Sequence, residues 1–468
     1  MDPGRPDTAE VFAIHGESGA KSALEFLIAP ARSPSESVSN KNAGSSPEFL
    51  IESGAPEILP DLRNKRMTAR TCVLTGALMI AICSATAQAQ QVGSHIGFLR
   101  SAATDRDFRI GAFRHMENVF PNRVINRAAP VIQIPRAERA LDLSYEFGGR
   151  TRKLSDIMER TNTTGLLVIK NGKIVFEKYY LGADENSMFT SMSVAKSFTS
   201  TLVGLAIADG KIASVDRPVT DYIPELRGSG YDGVSIKNIL QMSSGVKFSE
   251  DYGGRDDLSE MWSRTMERNV LSLDDYARSL PREEAPGSRF YYRSIDTQVL
   301  GWLVNRVTGE HPADYLSRKI WQPLGMEHNA SWLTDGTGME ATFCCIQATL
   351  RDYGRFGMLF LNHGMANGNQ IVPAKWVDQA TTPSSPQVQP GKLIPGNPLG
   401  YQFQWWTFPG AEDHAYSAEG VFFQFIYVNP RENVVIVKTS ANDGFWDEEK
   451  EAEIYAAYDA IASALHGN

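Results

Sequence analysis

The sequence predicts an α/β protein, an α+β sandwich whose antiparallel sheet draws strands from both ends of one domain around a helical middle. Three observations predict it: a hairpin signal early in the domain, a second hairpin near the C-terminus, and helical periodicity between and after them. The first hairpin lies where Leu166-Leu167-Val168-Ile169 and Ile174-Val175-Phe176 flank Lys170-Asn171-Gly172-Lys173. Asn-Gly suits a type I′ turn because both central residues there need positive φ. Ser193 to Asp209 then reads as helix, with Val194, Phe198, Leu202 and Leu205 recurring at three- and four-residue spacing and Gly210 as its stop. Asp296 to Val307 and Asp352 to Leu361 are two further amphipathic stretches. Phe423 to Val428 and Asn433 to Thr439 flank Asn429-Pro430-Arg431-Glu432 as the second hairpin. A last helix runs from about Glu448 to His466, with Ile454, Tyr458, Ile461 and Leu465 on one face. Strands, helices, strands, helix is the order of a layered sandwich.

The chain has 468 residues, 42% of them hydrophobic, and a formal net charge of -9. That length supports a large core. The acidic balance, and a chain without a Lys/Arg block, set nucleic acid aside as a partner. Of four cysteines, Cys72 and Cys83 fall in an apolar segment and Cys344 and Cys345 are adjacent. Neighbours rarely meet the geometry of a disulfide, so no structural disulfide is expected. No Cys/His set has zinc spacing and His-Glu-x-x-His does not occur, so neither a metal nor another cofactor is expected.

Residues 67–89 have the layout of a secretory signal peptide. Arg63, Lys65, Arg66 and Arg70 precede the apolar run Val73 to Ile82, and Ala87-Gln88-Ala89 supplies a cleavage site. The run is short for a transmembrane anchor. The expectation is therefore a protein secreted across the inner membrane into the periplasm, with no stable membrane anchor after cleavage. Residues 1–66 are polar, aperiodic and rich in Ser, Gly and Pro, and read as a disordered leader. Translation starting at Met67 would explain them. Residues 90–140, with Pro121, Pro130 and Pro135 spaced through them, read as an extended arm. Residues 141–468 read as one compact domain.

Ser193-Val194-Ala195-Lys196 is the first motif that carries chemistry. A serine hydroxyl is a poor nucleophile without a base, and a lysine amine serves if burial lowers its pKa. At the start of a helix the two lie one turn apart on one face. Two other Ser-x-x-Lys matches occur, at Ser18 and Ser244. The first lies in the leader and the second reads as a loop, so only Ser193 opens a periodic helix. Taken alone, Ser193 could equally be a helix N-cap. Tyr292, in Pro286-Gly287-Ser288-Arg289-Phe290-Tyr291-Tyr292-Arg293-Ser294, precedes the next helix and could relay a proton. Gly420, in Ser417-Ala418-Glu419-Gly420-Val421, enters the C-terminal hairpin, where glycine permits close approach of a substrate backbone. Asp256 and Asp257 could bind an amine, or form a solvated acidic loop. His414 could act near Gly420, and Trp405 and Trp406 could wall a cleft or pack in the core.

Together these pieces resemble the serine β-lactamase and penicillin-binding-protein superfamily. The similarity is to its class C-like branch, which includes D-alanyl-D-alanine carboxypeptidases, family VIII carboxylesterases and 6-aminohexanoate-dimer hydrolases. Phe189 to Ser197, Ile239-Leu240-Gln241-Met242-Ser243-Ser244-Gly245 and Arg351-Asp352-Tyr353-Gly354-Arg355-Phe356-Gly357 support the resemblance. It implies the β-lactamase/transpeptidase-like fold, Ser193 as acylated nucleophile, Lys196 as base and Tyr292 as the tyrosine of a Tyr-x-Asn motif. It implies an oxyanion hole from the backbone N–H groups of Ser193 and Val421, and substrate contacts from Ser294, Glu419 and Gly420. Two departures matter. Ser294 replaces the motif's Asn, and Ala418-Glu419-Gly420 stands where lactamases have Lys-Thr-Gly. An acid in place of that cation should repel substrate carboxylates. The resulting expectation is a serine hydrolase acting on small esters or simple amides. A β-lactamase or D,D-carboxypeptidase is the alternative within the same chemistry, and a non-catalytic binder of peptidoglycan-like ligands or a sensor is the alternative outside it.

Overall fold

The hairpins at opposite ends of the domain lie in one sheet. The computed structural model describes residues 100, 103–410 and 414–466. The main sheet has seven strands: β1 (Thr163–Lys170), β2 (Lys173–Tyr179), β3 (Gly400–Gln402), β4 (Trp405–Thr407), β5 (Tyr416–Gly420), β6 (Gln424–Asn429) and β7 (Val434–Ser440). They are ordered β3-β4-β5-β6-β7-β1-β2, and every pairing is antiparallel. Asn171 and Gly172 have φ of 50° and 71°, the two positive values a type I′ turn needs. The ends of the domain meet where β1 pairs with β7, Val168 opposite Ile436.

Four helices position the site: α1 (Ala195–Ala208), α2 (Ser294–Thr308), α3 (Leu350–Leu361) and α4 (Glu448–Ala464). Both faces of the sheet are covered, which is why β1 reads as an unbroken apolar run instead of an alternating one. Leu166, Val168, Phe425, Tyr427 and Ile436 pack with Ile454, Tyr458 and Ile461 of α4. Leu167, Ile169, Ile426, Val435 and Val437 join the larger core on the other side, with α1 and α3. The approach of α3 is close enough to dictate sequence. A Cβ on Gly354 would stand 2.8 Å from Leu167, and one on Gly357 2.5 Å from Val435. Three residues apart, these glycines share the helix face that lies on the sheet.

A second sheet, of four strands, contains Asn122–Ile125, Ala330–Leu333, Ile346–Ala348 and Phe189–Thr190, paired in that order. Its last strand leads directly into the Ser193 turn. The stretch read as an extended arm thus contributes a strand, and also a helix at Arg106–Ala112. At seven residues that helix is too short for periodicity to reveal. The leader and signal segment fall outside the described residues. Among the described residues no helix is long and apolar enough to cross a membrane.

One expectation about covalent structure is corrected. Cys344 and Cys345 form a disulfide with each other. The chain accommodates closure between neighbours by a left-handed bend, with Cys345 at φ 71°.

Candidate active site

Ser193 follows a bend that periodicity does not announce. Met192 has φ 43°, a left-handed conformation uncommon for a residue with a side chain. Met192–Val194 form one 3-10 turn that feeds α1, so Ser193 sits just ahead of the helix it was expected to open. It is partly exposed, whereas Val194, Ala195 and Lys196 are buried. The turn is tied to the second sheet. Ser191 N donates to Ile346 O at 2.8 Å, and Ile346 N donates to Ser191 Oγ at 2.9 Å. Cys345 N donates to Met192 O at 3.3 Å, which joins the disulfide loop to the same turn.

Lys196 Nζ lies 2.8 Å from Ser193 Oγ, 3.0 Å from Ser294 Oγ and 2.9 Å from Phe343 O. The side chain is 1% exposed. Burial pulls its pKa down to about 7, with Glu250 opposing that shift. Near neutral pH a large fraction is therefore free amine, able to accept a proton. Tyr292 shares a side-chain hydrogen bond with Ser193, and its ring lies 4.9 Å from Lys196 Nζ. Burial, reinforced by the charge of Glu250, pushes the phenol well above the ordinary tyrosine range. These two environments separate the groups into an amine that can accept a proton and a phenol that keeps one.

Two residues expected to touch substrate are turned inward. Ser294 is 2% exposed, and its N and Oγ donate to Glu250 Oε2 and Oε1 at 2.6 and 2.8 Å. Glu419 also accepts from within the protein: Tyr455 Oη lies 2.8 Å from Glu419 Oε1 and 2.6 Å from Glu451 Oε1. One hydroxyl proton cannot serve two carboxylates, and two adjacent buried carboxylates do not both ionise. Burial raises both pKa values, Glu451 to about 7, and the charge of Glu451 raises Glu419 further. Glu419 is therefore not the exposed anion the sequence suggested, and the expected repulsion of substrate carboxylates is corrected. Ala418, at the position of the lactamase lysine, is buried in the core on the other face of β5.

Gly420 is required by the protein's own backbone. A Cβ there would stand 2.7 Å from Ser191 O and 2.9 Å from Ser193 N. Val421 follows, partly exposed, and starts the tight turn into β6, in which Phe422 and Phe423 have φ of 62° and 66°. Trp406 stacks on Tyr292 at 5.9 Å, with Tyr401 edge-on to both rings. Trp405 instead packs against Phe356 and Phe360 in the core.

The remaining candidates do not join this group. Asp256 caps the helix Asp257–Trp262, accepting from the backbone N–H groups of Asp251, Tyr252 and Ser259. Asp257 accepts from Ser249. His414 Nε2 contacts Thr381 O at 2.7 Å, and the ring lines a surface cavity with Asp378 and Tyr416, apart from Ser193. The residue that sequence reasoning missed is Glu250. Its loop holds Glu250, Asp251, Asp256 and Asp257, and spacing alone does not say which acid turns inward. The nearby Tyr252, which donates to Glu250 at 2.8 Å, was the available signal.

A buried amine against a serine hydroxyl, ahead of a helix packed beneath an antiparallel sheet, is the arrangement of serine hydrolases with the penicillin-recognising fold. The sequence matches the Beta-lactamase family over residues 151–460, and the chain belongs to that family. It is 30% identical to the 6-aminohexanoate-dimer hydrolase of Paenarthrobacter ureafaciens, over 70% of this chain and 84% of that protein. It is 32% identical to Esterase EstB of Burkholderia gladioli, over 34% of this chain and 44% of that one. Among solved structures, a Bacillus anthracis protein provisionally named a 6-aminohexanoate-dimer hydrolase superposes with a TM-score of 0.70. That superposition has 26% identity and covers 78% of this chain and 96% of the other. The protein is a serine hydrolase, with relatives named as a 6-aminohexanoate-dimer hydrolase and as an esterase.

Proposed function

We propose that this protein hydrolyses small carboxylic esters or simple amides through an acyl-enzyme on Ser193. The observation that carries the reading is the 2.8 Å contact between Ser193 Oγ and a buried Lys196 amine whose pKa lies at about 7. Lys196 takes the Ser193 proton as Oγ attacks the carbonyl carbon. The backbone N–H groups of Ser193 and Val421 stabilise the oxyanion. Tyr292, retaining its phenolic proton, gives it to the departing alcohol or amine. It then recovers a proton from Lys196 before the acyl-enzyme is hydrolysed. Trp406, stacked on Tyr292, offers an apolar wall for the acyl chain.

The names of the two relatives, a 6-aminohexanoate-dimer hydrolase and an esterase, support simple amides and esters as substrates. The apolar Ala418, in place of a lysine, weakens the case for β-lactams and D-Ala-D-Ala peptides, whose carboxylate that lysine would have met. Purified protein assayed with p-nitrophenyl butyrate, a 6-aminohexanoate dimer and nitrocefin tests the ranking. Ester or dimer turnover is expected to exceed nitrocefin turnover, and the reverse order would overturn it. Fluorophosphonate labelling lost in Ser193→Ala would identify the nucleophile. Failure of the parent protein to label would favour a non-catalytic binder. Export to the periplasm belongs to the same proposal, supported by the segment at 67–89. N-terminal sequencing of protein from the native host should find a start just after Ala89.

A further inference from the structure

The hydrogen-bond partners of Lys196 determine where its protons point. Phe343 O, at 2.9 Å, can only accept. Ser294 Oγ, at 3.0 Å, has a single proton, and Glu250 takes it at 2.8 Å. Ser294 N and the Tyr252 hydroxyl also donate to Glu250, at 2.6 and 2.8 Å. Three donors converging on one carboxyl is the pattern of an ionised acceptor. Ser294 therefore has only lone pairs to offer Lys196. A neutral amine has two N–H bonds and one lone pair. With both N–H bonds directed to Phe343 O and Ser294 Oγ, the lone pair faces the third neighbour, Ser193 Oγ, at 2.8 Å.

We infer that Glu250 is a positioning residue that, by fixing the proton of Ser294, aims the Lys196 lone pair at the Ser193 hydroxyl. This rests on the reading of Lys196 as the base. In the step itself the Ser193 Oγ–H bond breaks, its proton becomes the third N–H of the lysine ammonium, and the oxygen electron pair forms the bond to the substrate carbonyl carbon. Glu250 then lies one hydroxyl away from the new positive charge. The ionisable groups facing Lys196 are Glu250, with Tyr252 behind it, and Tyr292 before α2. Glu419 on β5 adds a smaller electrostatic push upward on the Tyr292 pKa, after burial and Glu250.

The test is the pH dependence of kcat/KM for an ester in Glu250→Gln, Glu250→Asp and Ser294→Ala, with folding checked by circular dichroism. A glutamine amide can donate to Ser294 Oγ and turn that hydroxyl proton toward Lys196. Glu250→Gln is expected to lower the plateau by about tenfold or more. Its acid limb should also move to lower pH, because the ammonium loses a nearby anion. Glu250→Asp, which keeps the charge, should return the limb toward that of the parent protein. Ser294→Ala should lower the plateau by a similar factor while remaining folded. An unmoved limb in Glu250→Gln, or full activity in Ser294→Ala, would overturn the inference while leaving the nucleophile assignment intact. A parent protein that neither labels with fluorophosphonate nor cleaves esters would instead remove the underlying reading, and this inference with it.

Discussion

Gly420 lies against the Ser193 turn so closely that a Cβ would stand 2.9 Å from the Ser193 amide nitrogen. The edge of β5 and the serine are thereby held in one fixed relation. Both contacts under 3 Å are to backbone, at Ser191 O and Ser193 N, so no flexible side chain can yield. Gly420→Ala should force the two segments apart, lowering stability by about 1–3 kcal/mol as overpacked sites do. Ester kcat should fall about 100-fold through separation of the two proposed oxyanion donors, the N–H groups of Ser193 and Val421. Steady-state kinetics and a thermal melt check this. A variant with unchanged turnover would show that the contact has no part in the reaction.

Tyr292→Phe separates the acid from the base. The proposed acid contributes a factor of roughly 100 to 10,000, and kcat should fall accordingly. On the proposed mechanism Lys196 works as free amine, so kcat/KM should climb through about pH 7 as the ammonium deprotonates. That limb should survive in Tyr292→Phe, weakened but at a similar pH. Its disappearance would transfer the role of base to the tyrosine.

The Glu419 and Glu451 pair should make stability depend on pH. Folding raises the pKa of Glu451 from 4.5 to about 7, so the folded chain holds more protons than the unfolded one between those values. Stability from this group is full at the acid end of that window and declines as pH rises through it. Glu451→Gln keeps the shape without titrating. Relative to the parent protein, it should gain on the order of 2 kcal/mol between pH 5 and pH 8. Denaturant titrations at the two pH values measure this, and parallel curves for both proteins would refute it.

Reduction of the Cys344–Cys345 disulfide should affect turnover more than folding. Phe343 O, one residue before the ring, accepts from Lys196, and Cys345 N holds Met192 O. Loosening the first bond costs about 1 kcal/mol, a factor of about five in rate. Dithiothreitol should therefore lower kcat by that factor with an unchanged far-UV spectrum. A Cys344→Ser/Cys345→Ser double variant should resemble the reduced protein and ignore the reductant. Full activity after verified thiol release would exclude a role for the ring.

The parts of the fold set by local chemistry were legible in the sequence. Asn171-Gly172 marked its turn because few dipeptides accept two positive φ values, and the helices showed their buried faces. Gly354 and Gly357 were legible only as part of a family pattern, since what they meet, Leu167 and Val435, comes from distant strands. At the site, Ser193 and Lys196 stood out from the matches at Ser18 and Ser244 only because a periodic helix follows them, and Tyr292 only because the three motifs together resemble a family pattern. The direction of a side chain could not. Glu419 faces α4, Ser294 faces Glu250, and Trp405 and Trp406, adjacent in sequence, point to opposite faces of β4. These orientations follow from strand pleat and packing. The bond between Cys344 and Cys345 depends on a backbone bend that no local motif encodes.

The pairing of β1 with β7 also sets the order in which the protein can be made. Residues in the 160s must wait for residues in the 430s before the central ladder closes. During synthesis the apolar run of β1 therefore leaves the ribosome long before its partner strand exists. Contacts this distant along the chain slow folding, because loop closure precedes any gain from the ladder. A nascent chain that stops short of β7 would have the Ser193 turn, β5 and β6 but not the strand that joins them to β1, so a truncated protein should be inert and prone to aggregate.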